Sequence, residues 1–154
     1  DLRAIFVKLE STLYQLLRSK GYTRVRLQSL STNHYVLVVT LNGVKGRFIL
    51  DTGASNTCVS TELTAHFHLN AKPSEEKASS ASANELDTEV ADHNSLKIGS
   101  WSSKRRYLVL FDMQAVNLAL QKLDIESVDG IIGADILQST KAVIDYQNDW
   151  LYLK

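Results

Sequence analysis

The 154-residue chain holds one cysteine, one proline, one methionine and seven glycines. With Cys58 alone, no intrachain disulfide can form, so the fold does not depend on an oxidising compartment. Charge is balanced, at 17 basic and 17 acidic residues. That balance removes any broad electrostatic case for binding nucleic acid or an acidic membrane surface. No apolar run is long enough to span a bilayer. What remains, 44% hydrophobic and 22% charged residues, is the composition of an ordinary globular protein. The length suits one domain, which can bury roughly 68–70% of the surface its unfolded chain exposes. The chain begins at Asp1 rather than Met, as expected where an upstream segment has been removed. A removed export signal would fit a periplasmic or exported location, and the compartment is left open.

Leu2, Ile5, Phe6, Leu9, Leu13, Leu16 and Leu17 recur at helical spacing, with polar residues between them. The spacing predicts an amphipathic helix over 2–19, with Gly21 as its left-handed cap. Residues 1–21 are therefore read as an N-terminal helix and 22–154 as the main domain. The helix is expected to pack its apolar stripe on that domain; a membrane-surface or partner-docking role is the other reading. A strand is predicted over 23–30. Strands over 34–41 and 44–50 flank Asn42-Gly43, a dipeptide suited to a hairpin turn in which both central residues need positive φ. Phe48-Ile49-Leu50 is continuously apolar and should be buried.

Cys58-Val59 reads as a short strand and 61–68 as a short helix capped by Ser60 or Thr61. Residues 70–84, with the single proline and several serines, read as a long loop or hairpin tip. Strands are expected over 86–91, 95–98 and 106–111, and a helix over 113–122. The apolar segment 128–137 is punctuated by Gly130 and Gly133. A terminal hairpin over 142–153 follows. The class is mainly β with a few short helices.

The informative segment is Phe48-Ile49-Leu50-Asp51-Thr52-Gly53-Ala54-Ser55. An apolar strand delivers an acidic residue into a tight turn, where Gly53 permits a sharp bend and close approach. The Thr52 and Ser55 hydroxyls are within reach of the carboxylate or of neighbouring backbone, and bonds of that kind are expected to help orient the carboxylate. A tripeptide of common residues is weak evidence alone. Here it follows an Asn-Gly hairpin, and some eighty residues on come Asp129-Gly130-Ile131-Ile132-Gly133-Ala134-Asp135 and then Ala142-Val143-Ile144-Asp145.

This ordered set resembles the retropepsin-like aspartic proteases, especially single-lobe bacterial members, over about residues 35–153. The resemblance implies a closed, mainly β acid-protease barrel with Asp51 as the catalytic residue. It implies that Thr52 braces two active-site loops across a homodimer, with Gly53, Ala54 and Ser55 completing the loop. It also implies that Ile131-Ile132-Gly133 lies against that loop and leads into a short helix. No metal or other cofactor is implied, and the expected partners are a peptide or protein substrate and a second copy of the chain. Two departures stand out. The family's flap often has glycine near its tip, whereas 72–92 contains none, and the N-terminal helix is an addition. The favoured function is an endopeptidase whose water is activated between two Asp51 carboxylates. The alternative is a non-catalytic peptide-binding or interaction module that keeps the fold.

Plainer roles are expected elsewhere. Asp129 and Asp135 lack a following Thr-Gly and read as turn or capping residues. Asp145 and Asp149 read as turn or surface residues. Cys58 reads as core rather than a nucleophile. His66 and His68 fall on different faces of the expected helix, and Lys104-Arg105-Arg106 reads as a solvated turn. The last strand, 150–154, is a candidate to complete a dimer.

Overall fold

In the computed structural model, which describes residues 2–74, 78–79 and 85–154, the predicted N-terminal helix is α1 (Leu2–Ser19). It ends as its sequence dictates. Gly21 takes φ +88°, and the Tyr22 and Gly21 amides donate to the Leu17 and Arg18 carbonyls, the paired bonds of a Schellman cap. Among the described side chains, the apolar stripe is only partly covered, contrary to expectation. Leu17 is buried, but Leu2, Ile5 and Leu16 are exposed. Rings and guanidinium groups tie the helix down instead. Arg24 lies 3.8 Å from the Tyr14 ring centre and 3.9 Å from that of Trp150. No helix is long and apolar enough to cross a membrane among the described residues.

The single strand expected over 23–30 is two strands in different sheets. Strand β1 (Thr23–Arg26) and β2 (Gln28–Ser29) are separated by buried Leu27, whose amide donates to the Asp149 carbonyl. Strands β3 (Tyr35–Leu41) and β4 (Val44–Leu50) form the predicted hairpin. Its turn has φ 49° at Asn42 and 84° at Gly43. Strand β5 (Cys58–Ser60) leads into a 3₁₀ turn, Thr61–Leu63, in place of the expected helix. Ser60 stands at the cap position but makes no capping bond.

Two short strands, β6 (Lys72–Pro73) and β7 (Ala78–Ser79), lie in the predicted loop, and β8 (Glu85–Leu86) pairs with β7. The centre of the glycine-free stretch, 80–84, falls outside the described residues. The strands expected over 86–91 and 95–98 are largely one, β9 (Glu89–Ile98), because buried Asn94 bridges the irregularity by donating to the Ala91 and Arg106 carbonyls. Strand β10 (Trp101–Phe111) pairs with it. The basic triplet lies within β10 at a register shift, with Arg105 at φ 62°, rather than in a turn between elements. The Arg106 guanidinium sits 5.4 Å from the Trp101 ring centre. The remaining elements are α2 (Gln114–Gln121), β11 (Gly130–Ile132), α3 (Ala134–Ser139), β12 (Val143–Asp145) and β13 (Trp150–Leu153).

Six strands close on themselves in the order β3-β4-β11-β5-β10-β9, the β3–β9 pairing completing the barrel. Alternation along β3 and β4 divides their side chains between two cores. Leu37, Val39, Leu41, Phe48 and Leu50 point into the barrel with Leu96, Ile98, Leu108 and Leu110. Val36 and Ile49 face a second cluster with Met113, Leu120 and Val128, in which α2 takes part. This explains the unbroken apolar run before Asp51: both faces of β4 are covered at that end.

Strands β1, β13 and β12 form a separate sheet with β13 in its centre. Both edges of β13 are thus paired within the chain. Tyr35 joins this sheet to the barrel. Its hydroxyl donates to Asp149 at 2.6 Å and its ring lies 5.4 Å from that of Tyr146.

That bond, with burial and the Asp149 charge adding, raises the Tyr35 phenol from 10.0 to about 12. The unfolded chain therefore ionises first, so the bond's contribution is complete below pH 10 and lost as pH rises towards 12. Tyr35→Phe should cost about 1–2 kcal/mol at neutral pH and flatten the alkaline fall in melting temperature. Identical melts for the two proteins from neutral to alkaline pH would remove this bond from the account of the fold.

Candidate active site

Asp51 directly follows β4, and its position is set by backbone. Leu50 pairs with Ile132 in the parallel β4–β11 ladder, and the Asp51 amide donates to the Ile132 carbonyl at 3.0 Å. The chain then turns, with the Ala54 amide reaching the Asp51 carbonyl at 3.3 Å. Asp51 is half-buried at the mouth of this turn, while Thr52, Gly53 and Ser55 are exposed. The carboxylate is held by the Gly53 amide, which donates to Oδ1 at 2.8 Å. Thr52 and Ser55 do not bond to it among the described residues, contrary to expectation. Gly53 provides the close approach expected of it. It has no positive φ; a Cβ there would stand 3.2 Å from Asp51 Oδ1, so its value is space beside the carboxylate.

The Ile131-Ile132-Gly133 segment lies against this loop. The Ala134 amide donates to the Ala54 carbonyl at 2.7 Å. Gly133 sits so close that a Cβ would lie 2.6 Å from the Asn56 carbonyl oxygen and 2.8 Å from that of Ala54. Both are backbone atoms already tied into the loop, so any side chain at 133 would push the loop away from β11. Gly130 is equally confined, against the Cys58 carbonyl and the Phe48 ring. From Gly133 the chain enters α3.

The residue that sequence reasoning missed is Thr57. It is fully buried. Its hydroxyl accepts from the Gly133 amide at 3.1 Å and donates to Asp135 Oδ1 at 2.8 Å. The same carboxylate oxygen accepts the Ile136 amide at 2.8 Å. Asp135 is thus a brace at the start of α3. Asp129 is a strand-linking residue rather than a turn: its Oδ2 accepts from the Arg47 amide and its own backbone bonds Arg47 and Ser60. Asp145 does form a turn, accepting the Gln147 and Asn148 amides. Nothing in the pattern Ser55-Asn56-Thr57-Cys58 marks which hydroxyl turns inward. Only the position of α3 decides it.

Cys58 is buried in β5 between β10 and β11, and its thiol donates to the Asn56 carbonyl at 3.1 Å. Burial, with the Asp135 and Asp51 charges adding, pushes the thiol up to about 12. At neutral pH it stays a thiol, which removes it as a nucleophile. Around Asp51 the site offers one fixed, partly accessible carboxylate on a braced loop. An apolar groove borders it, lined by Thr52, Ala134, Leu137, Ala142 and Ile144.

The aspartyl protease family model matches residues 37–136, well over half of the chain, so the chain belongs to that family. No curated protein matches it by sequence. Among solved structures, a retropepsin-like aspartic protease from Rickettsia conorii superposes with a TM-score of 0.57 at 18% identity, over 86% of this chain and 90% of that one. The EIAV protease, solved with an inhibitor, gives 0.55 at 16% identity over 77% of this chain and 98% of that one. The retroviral protease-like domain of Ddi1 from Leishmania major gives 0.53 at 15% identity, over 77% and 86%. The fold is therefore retropepsin-like, as the resemblance implied.

Thr57→Val removes the hydroxyl at nearly constant volume and leaves the Gly133 amide without its acceptor. It should lower stability by about 1–3 kcal/mol, whereas Thr57→Ser should keep most of it. Denaturant unfolding of the three proteins measures this. A valine variant as stable as wild type would show that the hydroxyl is not what joins loop and helix.

Proposed function

We propose that the protein is an aspartic endopeptidase acting as a homodimer, with Asp51 of each chain supplying one catalytic carboxylate. The observation that carries this reading is the fixed Asp51 carboxylate, oriented by the Gly53 amide on a loop braced by Gly133 and Thr57. Family membership and the fold support it.

The chemistry needs two carboxylates around one water. One, ionised, takes a proton from the water as it attacks the peptide carbonyl; the other, protonated, donates to the carbonyl oxygen. Two acids held about 3 Å apart do not both ionise readily, so they share a proton and their pKa values separate, as in aspartic proteases generally. The single Asp-Thr-Gly in these 154 residues supplies half of that arrangement. Two-fold symmetry supplies the other half, because the same loop then faces itself across the axis. Thr52, exposed beside Asp51, is the residue that would meet its counterpart there. The substrate is a peptide or protein, and neither metal nor organic cofactor takes part.

The non-catalytic module remains the competing reading, and Asp51→Asn separates the two. The variant should fold with an unchanged or higher melting temperature and cleave nothing in a peptide library. Mixed equally with wild type and allowed to exchange, it should leave roughly one quarter of dimers intact, and so about a quarter of the all-wild-type activity per chain. Independent monomers would retain about half. Cleavage by the folded variant would remove Asp51 from the mechanism, and no cleavage by either protein would favour the module.

The rate should also trace a bell against pH on the acid side of neutrality, since one carboxylate must be ionised and one protonated, and its limbs belong to the pair. A statine-type inhibitor should abolish it and a chelator should not. Loss of activity to a chelator with recovery on adding zinc would point to a metalloenzyme instead.

A further inference from the structure

Charge is balanced over the chain but not along it. Between Glu10 and Asp51 there is no acidic residue, while Arg18, Lys20, Arg24, Arg26, Lys45 and Arg47 all fall there. The fold gathers three of these guanidinium groups into one column with two rings. Arg24 and Arg26 are two apart on β1 and so share a face, and Trp150 stands opposite Arg26 on β13. Each of the two guanidinium carbons lies 3.9 Å from the Trp150 ring centre. Two groups at that distance cannot occupy one face of a ring, so the indole is sandwiched between them. Arg24 also lies 3.8 Å from the Tyr14 ring centre, and Arg18, one turn further along α1, lies 6.0 Å from it. The order is Arg18, Tyr14, Arg24, Trp150, Arg26.

Arg24, between the two rings, is the joint of α1 to the sheet. Arg18 and Arg26 extend the column past that joint, and both are exposed, as is Lys20. Arg26 donates one N–H to the Asn148 carbonyl at 2.7 Å, and a guanidinium has five. The acidic residues of the neighbouring turn are committed elsewhere, Asp149 to the Tyr35 hydroxyl and Asp145 to the Gln147 and Asn148 amides. Among the described residues no carboxylate forms an ion pair with Arg18, Lys20 or Arg26.

We infer that this column is a docking site for an acidic segment of a partner protein, whose carboxylates are taken at the guanidinium edges. Stacking holds a guanidinium plane against a ring and leaves its edge, where the N–H groups point, for a planar acceptor; a carboxylate matches that edge with two parallel bonds. Exposed positive charge at both ends of the column asks for an elongated partner with several carboxylates rather than one small anion. Two other occupants fit less well. Both faces of Trp150 are taken, so no base can stack there as in single-strand nucleic-acid binding. The exposed apolar residue of this part of α1, Leu16, is two residues from both Tyr14 and Arg18, about 200° round the helix. A flat bilayer therefore cannot take Leu16 and the column together. The inference does not depend on the reading of Asp51 as catalytic; under that reading, the column recruits substrates that carry an acidic stretch away from the scissile bond.

The probe is a fluorescent peptide of alternating glutamate and serine, titrated into the full chain bearing Asp51→Asn so that cleavage does not intervene. A glutamine–serine peptide is the neutral control. The acidic peptide should bind saturably, and more weakly as salt rises; the neutral one should not bind. Arg18→Gln and Arg26→Gln should each weaken binding about three- to fivefold, and together at least about tenfold. Lys45→Gln, the same charge change at an exposed position of β4, should leave it within about twofold. Thermal melts show whether each variant is folded. Should Arg26→Gln lower the melt, Arg18→Gln, whose ring contact is the loosest of the column, decides alone. No binding of the acidic peptide, or equal weakening by Lys45→Gln, would overturn the site. So would tighter binding of single-stranded oligothymidylate or of phosphatidylserine vesicles than of the peptide, which would make the column a nucleic-acid or membrane contact instead.

Discussion

The Asp51 loop depends on one buried hydroxyl. Thr57 accepts a hydrogen bond from the Gly133 amide and donates one to Asp135, so loop, strand end and helix start are held by one side chain. Around it, β11 runs parallel to β4 and antiparallel to β5, which places the approach to Asp51 and the exit from it on either side of the same strand. The glycines at 130 and 133 are consequences of that contact. Each sits where backbone or an aromatic ring already occupies the space of a side chain. A buried, fully bonded group of this kind is costly to disturb because its partners are left unsatisfied in a dry interior.

The barrel explains why the loop can be rigid. Where they approach the Asp51 loop, strands β3 and β4 are covered on both faces, by the barrel core and by the cluster beside α2. Asn117 of α2 fastens the connection that follows, accepting from the Val128 amide and donating to the Val128 carbonyl. The chain therefore arrives at β11 from a fixed direction. Helix α1 is joined to the small sheet through the Tyr14–Arg24–Trp150 stack, an arrangement of modest strength, and among the described residues its Leu2, Ile5 and Leu16 are exposed to solvent.

A fold of this kind does not by itself specify turnover. What bears on function is that the chain presents one oriented carboxylate at the border of an open, apolar groove.

Much of the architecture was legible in the residues because its causes are local. The Asn42-Gly43 turn needs positive φ at two adjacent positions, and those two residues tolerate it. The period of α1 and its Gly21 cap are equally local. Asp51 stood out because the apolar run Phe48-Ile49-Leu50 leads straight into it. The errors have the opposite origin. The predicted strand over 23–30 divides at Leu27 because its two halves find partners in different sheets. The basic triplet lies inside a strand because β9 accommodates its bulge. Thr57 was invisible because an inward hydroxyl is recognised only by what it meets, and Asp135 and Gly133 are more than seventy residues away in sequence. By itself, then, the sequence determined the mainly β class, the hairpin, the helix ends and the position of Asp51, where short-range sterics and hydrophobic period decide. The tertiary structure alone decided which sheet each strand joins and which hydroxyl braces the loop, since those depend on contacts between segments far apart in the chain.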